Sequence, residues 1–312
     1  MSMFRTDVPE DHQAGFACFV GRPNTGKSTL TNALVGAKIA ITSEKPQTTR
    51  HTIRGIVHRD DHQTVLVDTP GLHRPRTLLG ARLNDLVVST LAEVDVIGFC
   101  LPADERIGPG DRYIAEQLGQ VASRTPVVAL LTKVDKVERE QVAAALMAVT
   151  ELGDFAEIVP VSAKDDFQVD TVDEVLAKFL PLSPPLYPDG DLTDEPESVM
   201  VAELVREALL EDVRDELPHS LAVQVEEMNP REGRPDDSPL WDVHVNIFVE
   251  RPSQKAIVIG RKGARLKEIG TRARQGIQAL LGTPIYLDLH VKVAKDWQRD
   301  PKQLGRLGFD FS

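Results

Sequence analysis

Residues Gly21–Ser28 read GRPNTGKS, the pattern G-x-x-x-x-G-K-[ST]. The apolar run FACFV leads in and a helical pattern leads out. Such a loop works only between a strand and a helix. Its glycines let the main chain curl around an anion, and exposed N–H groups at the helix start favour negative charge. At average composition the pattern arises by chance in roughly one chain of this size in a hundred. This end of the chain is therefore expected to hold phosphate. Lys27 is placed to reach β- and γ-phosphates, and the Ser28 hydroxyl to bind Mg²⁺.

The surrounding pattern agrees. From residue 16 to about 180, the runs FACFVG, TVLVDTPG, VDVIGFCLP, PVVALLTKVD and EIVPVSA alternate with helical segments such as DRYIAEQLGQVAS and TVDEVLAKFL. Val/Ile-rich strands alternating with helices predict a mostly parallel sheet covered on both faces, an α/β domain. Next, LPLSPPLYPDGDLTDEP carries Pro181, Pro184, Pro185, Pro188 and Pro196, which exclude helix and central strand. Beyond it, SVMVAELVREALLEDVRDEL is helical. SLAVQVEEM and LWDVHVNIFVE alternate as half-buried strands, with Val243, Val245, Ile247 and Val249 on one face and the polar REGRPDDSP as their hairpin loop. A short helix runs into Gly260, and a longer one starts near residue 264. Its stripe is Leu266, Ile269, Ala273, Ile277 and Leu280, and it stops near Gly282. IYLDLHVKV is the last strand. The order is α-β-β-α-α-β, an α+β domain. The expected division is a polar tail at 1–14, a nucleotide domain at 15–181, a linker at 182–198 and a second domain at 199–312.

The 312 residues carry a formal charge of −12, which alone argues against nucleic acid. Its distribution argues otherwise. Residues 1–217 hold 21 Lys and Arg against 36 Asp and Glu, a balance of −15, whereas residues 251–306 hold 13 against 4, a balance of +9. The C-terminal part is expected to meet an anionic partner. No apolar run approaches the roughly 18 residues of a membrane span. The first fifteen residues show no secretory pattern. Cys18 and Cys100 lie in apolar strand-like runs and are expected as core residues in a reducing compartment, which places the chain in the cytosol.

Three later stretches narrow the nucleotide. DTPG (Asp68–Gly71) ends a strand; Asp68 suits Mg²⁺ and the Gly71 N–H suits a γ-phosphate. TKVD (Thr132–Asp135) ends another, and a carboxylate there accepts two hydrogen bonds from guanine that adenine cannot supply. VSAK, ending Ser162-Ala163-Lys164, presents the Ala163 N–H to guanine O6. All lie at carboxyl ends of strands, where ligands bind in such sheets. Taken in this order, the chain resembles the Ras-like GTPases of the translation-factor-related class. The candidate nucleotide contacts are Asn24, Thr25, Gly26, Lys27, Ser28, Thr29, Asp68, Gly71, Thr132, Lys133, Asp135, Ser162, Ala163 and Lys164. The resemblance places the first switch at EKPQTTRHTIRG, where Thr49, with Thr48 as the alternative, closes on Mg²⁺ and γ-phosphate. Mg²⁺ ligands are then Ser28, Thr49 and Asp68, and the catalytic set is Lys27, Thr49, Gly71 and Asn24. Asn24 enters because an Asn at this position in related GTPases helps hold a potassium ion; the plainer reading is that it shapes the turn.

Two departures matter. Thr132 stands where the family uses Asn, so an amide bracing the phosphate loop and base is lost and weaker guanine affinity is expected. Leu72 follows DTPG where Ras-type proteins use Gln to orient water, so slow intrinsic hydrolysis is expected. His73 reads as a surface loop histidine.

SQKAIVIGRKGARLKEIG (residues 253–270) adds a second glycine loop. A G-x-x-G turn between two helices, beside a three-stranded sheet, resembles the RNA clamp of type II KH domains, whose glycines admit the sugar-phosphate backbone. Candidate RNA contacts are Lys255, Ile259, Gly260, Arg261, Lys262, Gly263, Arg265 and Lys267. Both halves together, with PQTTRHTIRGI, DTPGLH and LPHSLAVQVEE, resemble the Era family of bacterial GTPases. That resemblance implies GTP/GDP, Mg²⁺ and K⁺ as ligands and single-stranded RNA at the 3′ end of small-subunit ribosomal RNA as target. It also implies a role in small-subunit maturation, peripheral membrane contact and a monomer. GTP ordering the switches around 42–54 and 68–80 is expected to favour RNA binding. The competing readings are a signalling GTPase whose C-terminal domain docks a protein or membrane, and a phosphate-loop ATPase or kinase.

Overall fold

The computed structural model describes residues 8–43, 48–50, 52–72, 75, 77–121, 125–212, 217–235 and 239–309. The chain divides into two compact units: the first comprises Met1–Thr42, Thr49–Pro75 and Gly80–Asp194, and the second Ser43–Thr48, Arg76–Leu79 and Glu195–Ser312.

The first unit is a six-stranded sheet. Its strands are β1 (Gln13–Val20), β2 (Ile53–His58), β3 (His62–Asp68), β4 (Val96–Pro102), β5 (Val127–Thr132) and β6 (Glu157–Pro160), in the order β2-β3-β1-β4-β5-β6. All neighbours are parallel except β2 on β3. Its helices are α1 (Lys27–Val35), α2 (Leu78–Glu93), α3 (Pro109–Val121), α4 (Arg139–Thr150) and α5 (Val169–Ala177). Strand alternation divides the core. Ala17 and Phe19 of β1 face Leu30, Leu34, Val172 and Leu176 of α1 and α5. Cys18 and Val20 face Val87, Leu91, Ile114 and Leu118 of α2 and α3. Each fully buried Val, Leu, Ile or Phe among them contributes about 1.5–3 kcal/mol. Cys18 and Cys100 are buried and unpaired as disulfides, and burial pushes the Cys100 thiol up to about 12. Because the chain runs from β1 to one side and then crosses to the other, a crevice opens at the carboxyl ends of β1 and β4, and the Gly21 loop lies there.

Strand β2 is absent from the strands the sequence predicts, and its first three residues, Ile53, Arg54 and Gly55, fall in the stretch read as the first switch. It is short, and Gly55 at its centre is required by packing, since a Cβ there would lie 2.4 Å from Ile39 Cδ1. The proline-rich segment, expected as a linker from residue 182, runs along this edge instead. Ile56 N–H donates to the Leu192 carbonyl at 3.0 Å, and Gln63 Oε1 accepts from the Leu186 and Tyr187 N–H groups at 2.7 and 2.9 Å. The strap covers a strand edge that would otherwise offer unpaired backbone groups. At the other boundary, β1 starts at Gln13, inside the segment read as tail.

The second unit contains α6 (Glu197–Asp212), α7 (Leu217–Ser220), β7 (Ala222–Pro230), β8 (Trp241–Val249), α8 (Pro252–Ile259), α9 (Ala264–Leu281), β9 (Ile285–Val293) and α10 (Pro301–Arg306). The sheet order is β7-β8-β9, with β7 antiparallel and β9 parallel to β8. Val243, Val245, Ile247 and Val249 are buried, as are Ile269, Ala273 and Ile277 of α9. Leu280, expected in the same stripe, is exposed because it lies at the helix end. Trp297, buried, donates Nε1–H to the Ser220 carbonyl at 3.0 Å and stacks on Phe309. Among the described residues no helix is long and apolar enough to cross a membrane.

Candidate nucleotide and nucleic-acid sites

The Gly21 loop approaches its neighbours too closely for side chains. A Cβ at Gly21 would lie 2.7 Å from the Cys100 carbonyl oxygen, and Gly26 turns at φ +93°. Asn24 is left-handed at φ 64°, a conformation Asn tolerates better than most residues. Lys27 Nζ donates to the Gly21 and Arg22 carbonyls at 3.2 and 2.8 Å. Burial lowers its pKa, an effect that the Asp68 carboxylate partly opposes. Arg22, which the sequence reading did not single out, anchors the loop to Asp111 Oδ1 at 2.7 Å and Glu105 Oε2 at 2.8 Å. Nothing in local spacing pairs residues 22 and 111.

Ser28, Thr49 and Asp68 come together although they lie on α1, a loop and the end of β3. Ser28 Oγ and Thr49 Oγ1 donate to Asp68 Oδ2 at 2.8 and 3.1 Å and lie 3.1 Å from each other. Thr48, the alternative, donates its hydroxyl to the Ser43 carbonyl at 3.3 Å. Three hard oxygens at one point fit Mg²⁺, which takes one or two protein carboxylates or hydroxyls and completes its shell with phosphate and water. Gly71 follows β3 so closely against the loop that a Cβ would lie 2.8 Å from Pro23 N. Leu72 is buried in the core, its N–H donating to the Gly21 carbonyl at 3.2 Å. His73 lies outside the described residues.

A cavity of about 240 Å³ is lined by Gly26, Thr29, Thr132, Lys133, Asp135, Ala163 and Lys164. Asp135 is oriented by Ser162 Oγ, which donates to Oδ1 at 2.7 Å. Lys133 adopts φ 58° to start the turn that holds Asp135. Thr132 Oγ1 donates to the Thr25 carbonyl at 2.6 Å, so the hydroxyl braces the phosphate loop itself. A larger cavity of about 670 Å³ lies between α3 and α4 and contains none of the residues expected to read the base. The smaller one has the chemistry for a purine.

In the second unit, α8 ends at Gly260 with φ 72°, ψ 178°, and α9 begins after Gly263 with φ 78°, ψ 7°. Between them Arg261 and Lys262 are exposed on a tight turn. Lys267 is exposed and Lys255 and Ile259 are half-buried. Arg265, expected beside the RNA, donates Nη1–H to the Ile257 carbonyl at 3.0 Å and so also ties α9 to the end of α8.

Residues 16–133 match the model of the 50S ribosome-binding GTPase family, and residues 216–298 that of the KH domain. GTPase Era of Streptomyces coelicolor is 67% identical over 303 residues, covering 96% of this chain and 95% of the relative. GTPase Era of Mycobacterium avium is 69% identical over 300 residues, covering 96% and 99%. Among solved structures, Era in complex with MgGDPNP and nucleotides 1506–1542 of 16S ribosomal RNA superimposes with a TM-score of 0.91 at 36% identity, covering 96% of this chain and 99% of that one. A single-substitution variant of Aquifex aeolicus Era bound to GDP·AlF4⁻ gives 0.90 at 36% identity, covering 95% and 99%. Likeness of this degree, running nearly end to end through both units, shows that the chain belongs to the Era family of GTPases.

Proposed function

We propose that this chain hydrolyses GTP to GDP and phosphate, binds the 3′ end of 16S ribosomal RNA through its KH domain, and assists maturation of the small ribosomal subunit. The observation that carries this reading is the near-complete structural match to Era holding both a GTP analogue and that RNA. In this reading the Gly21–Gly26 turn and the start of α1 cradle the phosphates, with Lys27 on the β- and γ-groups. Ser28, Thr49 and Asp68 hold Mg²⁺, which neutralises charge on the phosphates. The Gly71 N–H meets the γ-phosphate. Asp135 and the Ala163 N–H select guanine. Water attacks the γ-phosphorus and the bond to the β-phosphate oxygen breaks, leaving GDP. Leu72 offers no hydrogen bond to that water, which supports slow unassisted hydrolysis, and Asn24 supports K⁺ as a further source of positive charge.

At the second site Gly260 and Gly263 admit the RNA backbone, and Arg261, Lys262 and Lys267 supply charge. Loss of the γ-phosphate releases the switches and weakens the RNA grip, and the coupling is reciprocal. Work on ribosomal subunits places the protein in the cytoplasm. Each site is complete within one chain, which supports a monomer; peripheral contact with the inner membrane face is read by co-sedimentation with anionic vesicles. The test is binding of a 16S 3′-end RNA with GTP analogue or GDP bound, across salt. Affinity that falls steeply with salt and differs between nucleotides is expected. Absence of RNA binding at low salt would favour a protein-docking switch instead, and ATP displacing GTP would point to an ATPase.

A further inference from the structure

We infer that this chain selects guanine through its Watson–Crick edge and leaves the base N7 unread, because Thr132 commits its only proton to the phosphate loop. The inference deepens the GTP-binding reading and rests on it. Thr132 ends β5 and is 4% exposed. Its hydroxyl donates to the Thr25 carbonyl at 2.6 Å, and its next polar neighbour, the Leu101 carbonyl at 3.4 Å, also only accepts. A threonine has one O–H. Guanine N7 is an acceptor without a proton, so the hydroxyl's remaining lone pairs offer it nothing. With Asp135 and the Ala163 N–H holding N1, N2 and O6, the imidazole edge turns toward the wall that Gly26 and Thr132 form. Gly26 brings no side chain to that wall, and the Lys133 ammonium is drawn to Asp104 at 3.7 Å. An asparagine at 132 would carry two N–H protons, one for the Thr25 carbonyl and one for N7.

The experiment compares GTP with 7-deaza-GTP, in which a C–H replaces N7, by equilibrium competition on the full chain. For the native protein the two affinities are expected to agree within about twofold. In Thr132→Asn, GTP is expected to gain a preference of about three- to tenfold over 7-deaza-GTP, the worth of one hydrogen bond. In Thr132→Val, which keeps the shape and removes the hydroxyl, both nucleotides weaken by the same factor, because the lost bond held the loop and not the base. Native protein that binds GTP but holds 7-deaza-GTP about tenfold more weakly would overturn the inference. That result would also reveal a donor such as Thr29, which lines the same cavity. Thr132→Val weakening GTP alone, or Thr132→Asn binding both nucleotides alike, would overturn it as well. Failure to bind GTP at all is a separate outcome and would remove the GTPase reading itself.

Discussion

Gly260 and Gly263 both look like glycines that admit RNA, but the structure assigns them different physical demands. Gly263 is left-handed at φ 78°, and a Cβ there meets nothing within 4 Å. Gly263→Asp is expected to cost the fold about 1–2 kcal/mol, because a side chain at this φ is strained even with open space, although Asp visits the region more readily than most residues. For a unit of this size the melting temperature should fall by roughly 5–10 °C. Its effect on RNA should be larger. A carboxylate about 4 Å from a phosphate, at the effective dielectric of a protein surface, repels by about 4 kcal/mol, near a thousandfold in affinity. Screening over the roughly 8 Å Debye length of physiological salt leaves about 2.4 kcal/mol, near fiftyfold. Gly260→Ala provides the contrast. There a Cβ would sit 2.7 Å from Arg265 Cβ and 3.1 Å from Arg265 N, at a φ/ψ pair open essentially to glycine alone. A methyl should distort the turn at about 1–3 kcal/mol and reduce both stability and RNA binding without any charge. Fluorescence anisotropy with labelled 16S 3′-end RNA, thermal melting and GTP hydrolysis without RNA read the three quantities. Hydrolysis should stay near the native rate in Gly263→Asp. If that variant binds RNA within about threefold of the native protein, the loop is not where the backbone lies and the electrostatic reasoning is wrong.

Lys27→Ala should abolish tight GTP binding, measured by titration calorimetry, while the thermal melt without nucleotide shifts little; unchanged affinity would remove the lysine from the phosphates. If Thr49 closes on the γ-phosphate side as proposed, Thr49→Ala should keep GDP affinity within about threefold but slow Mg²⁺-dependent hydrolysis by at least about tenfold; normal turnover would return the role to Thr48. His62 offers a pH test. Burial opposes its charge, but Asp173 Oδ1 at 3.3 Å and Asp61 Oδ1 at 2.9 Å outweigh burial and raise its pKa above the ordinary value of 6.5. The stabilisation is thus complete below about pH 6.5 and fades as pH rises through the raised value. The melting-temperature gap between the native chain and His62→Gln should be widest near pH 6 and narrow toward pH 8. A gap that widens with pH would reverse the sign.

Fold class and family were legible because both rest on local rules. A phosphate loop needs a strand before it and a helix after it, and residues 13–35 satisfy this within one stretch. Period-2 alternation in residues 241–249 marks the face that the structure buries, and the stripe of α9 is right wherever the helix has neighbours, failing at Leu280 where it ends. Elsewhere local rules were insufficient. The strand β2 carries an arginine and a glycine in six residues, and it is a strand because β3 and the proline-rich strap supply its partners. The same prolines read as a spacer because they forbid helix, yet nothing in them announces an edge to cover.

Residue types at fixed spacing along the chain were enough to point to the proposed binding chemistry: an anion at Gly21–Ser28, guanine at Asp135, a nucleic-acid backbone at Gly260–Gly263. Only the tertiary structure decided which distant atoms share a proton or an ion. Ser28 and Thr49 meet Asp68 across 40 and 19 positions, Arg22 finds Asp111 across 89, and Thr132 gives its hydroxyl to Thr25 across 107. Hydrogen bonds are fixed to within a few tenths of an ångström, whereas sequence patterns constrain only which face a side chain takes. The pairing therefore emerges when the sheet register is set and the loops at its carboxyl edge are brought within reach.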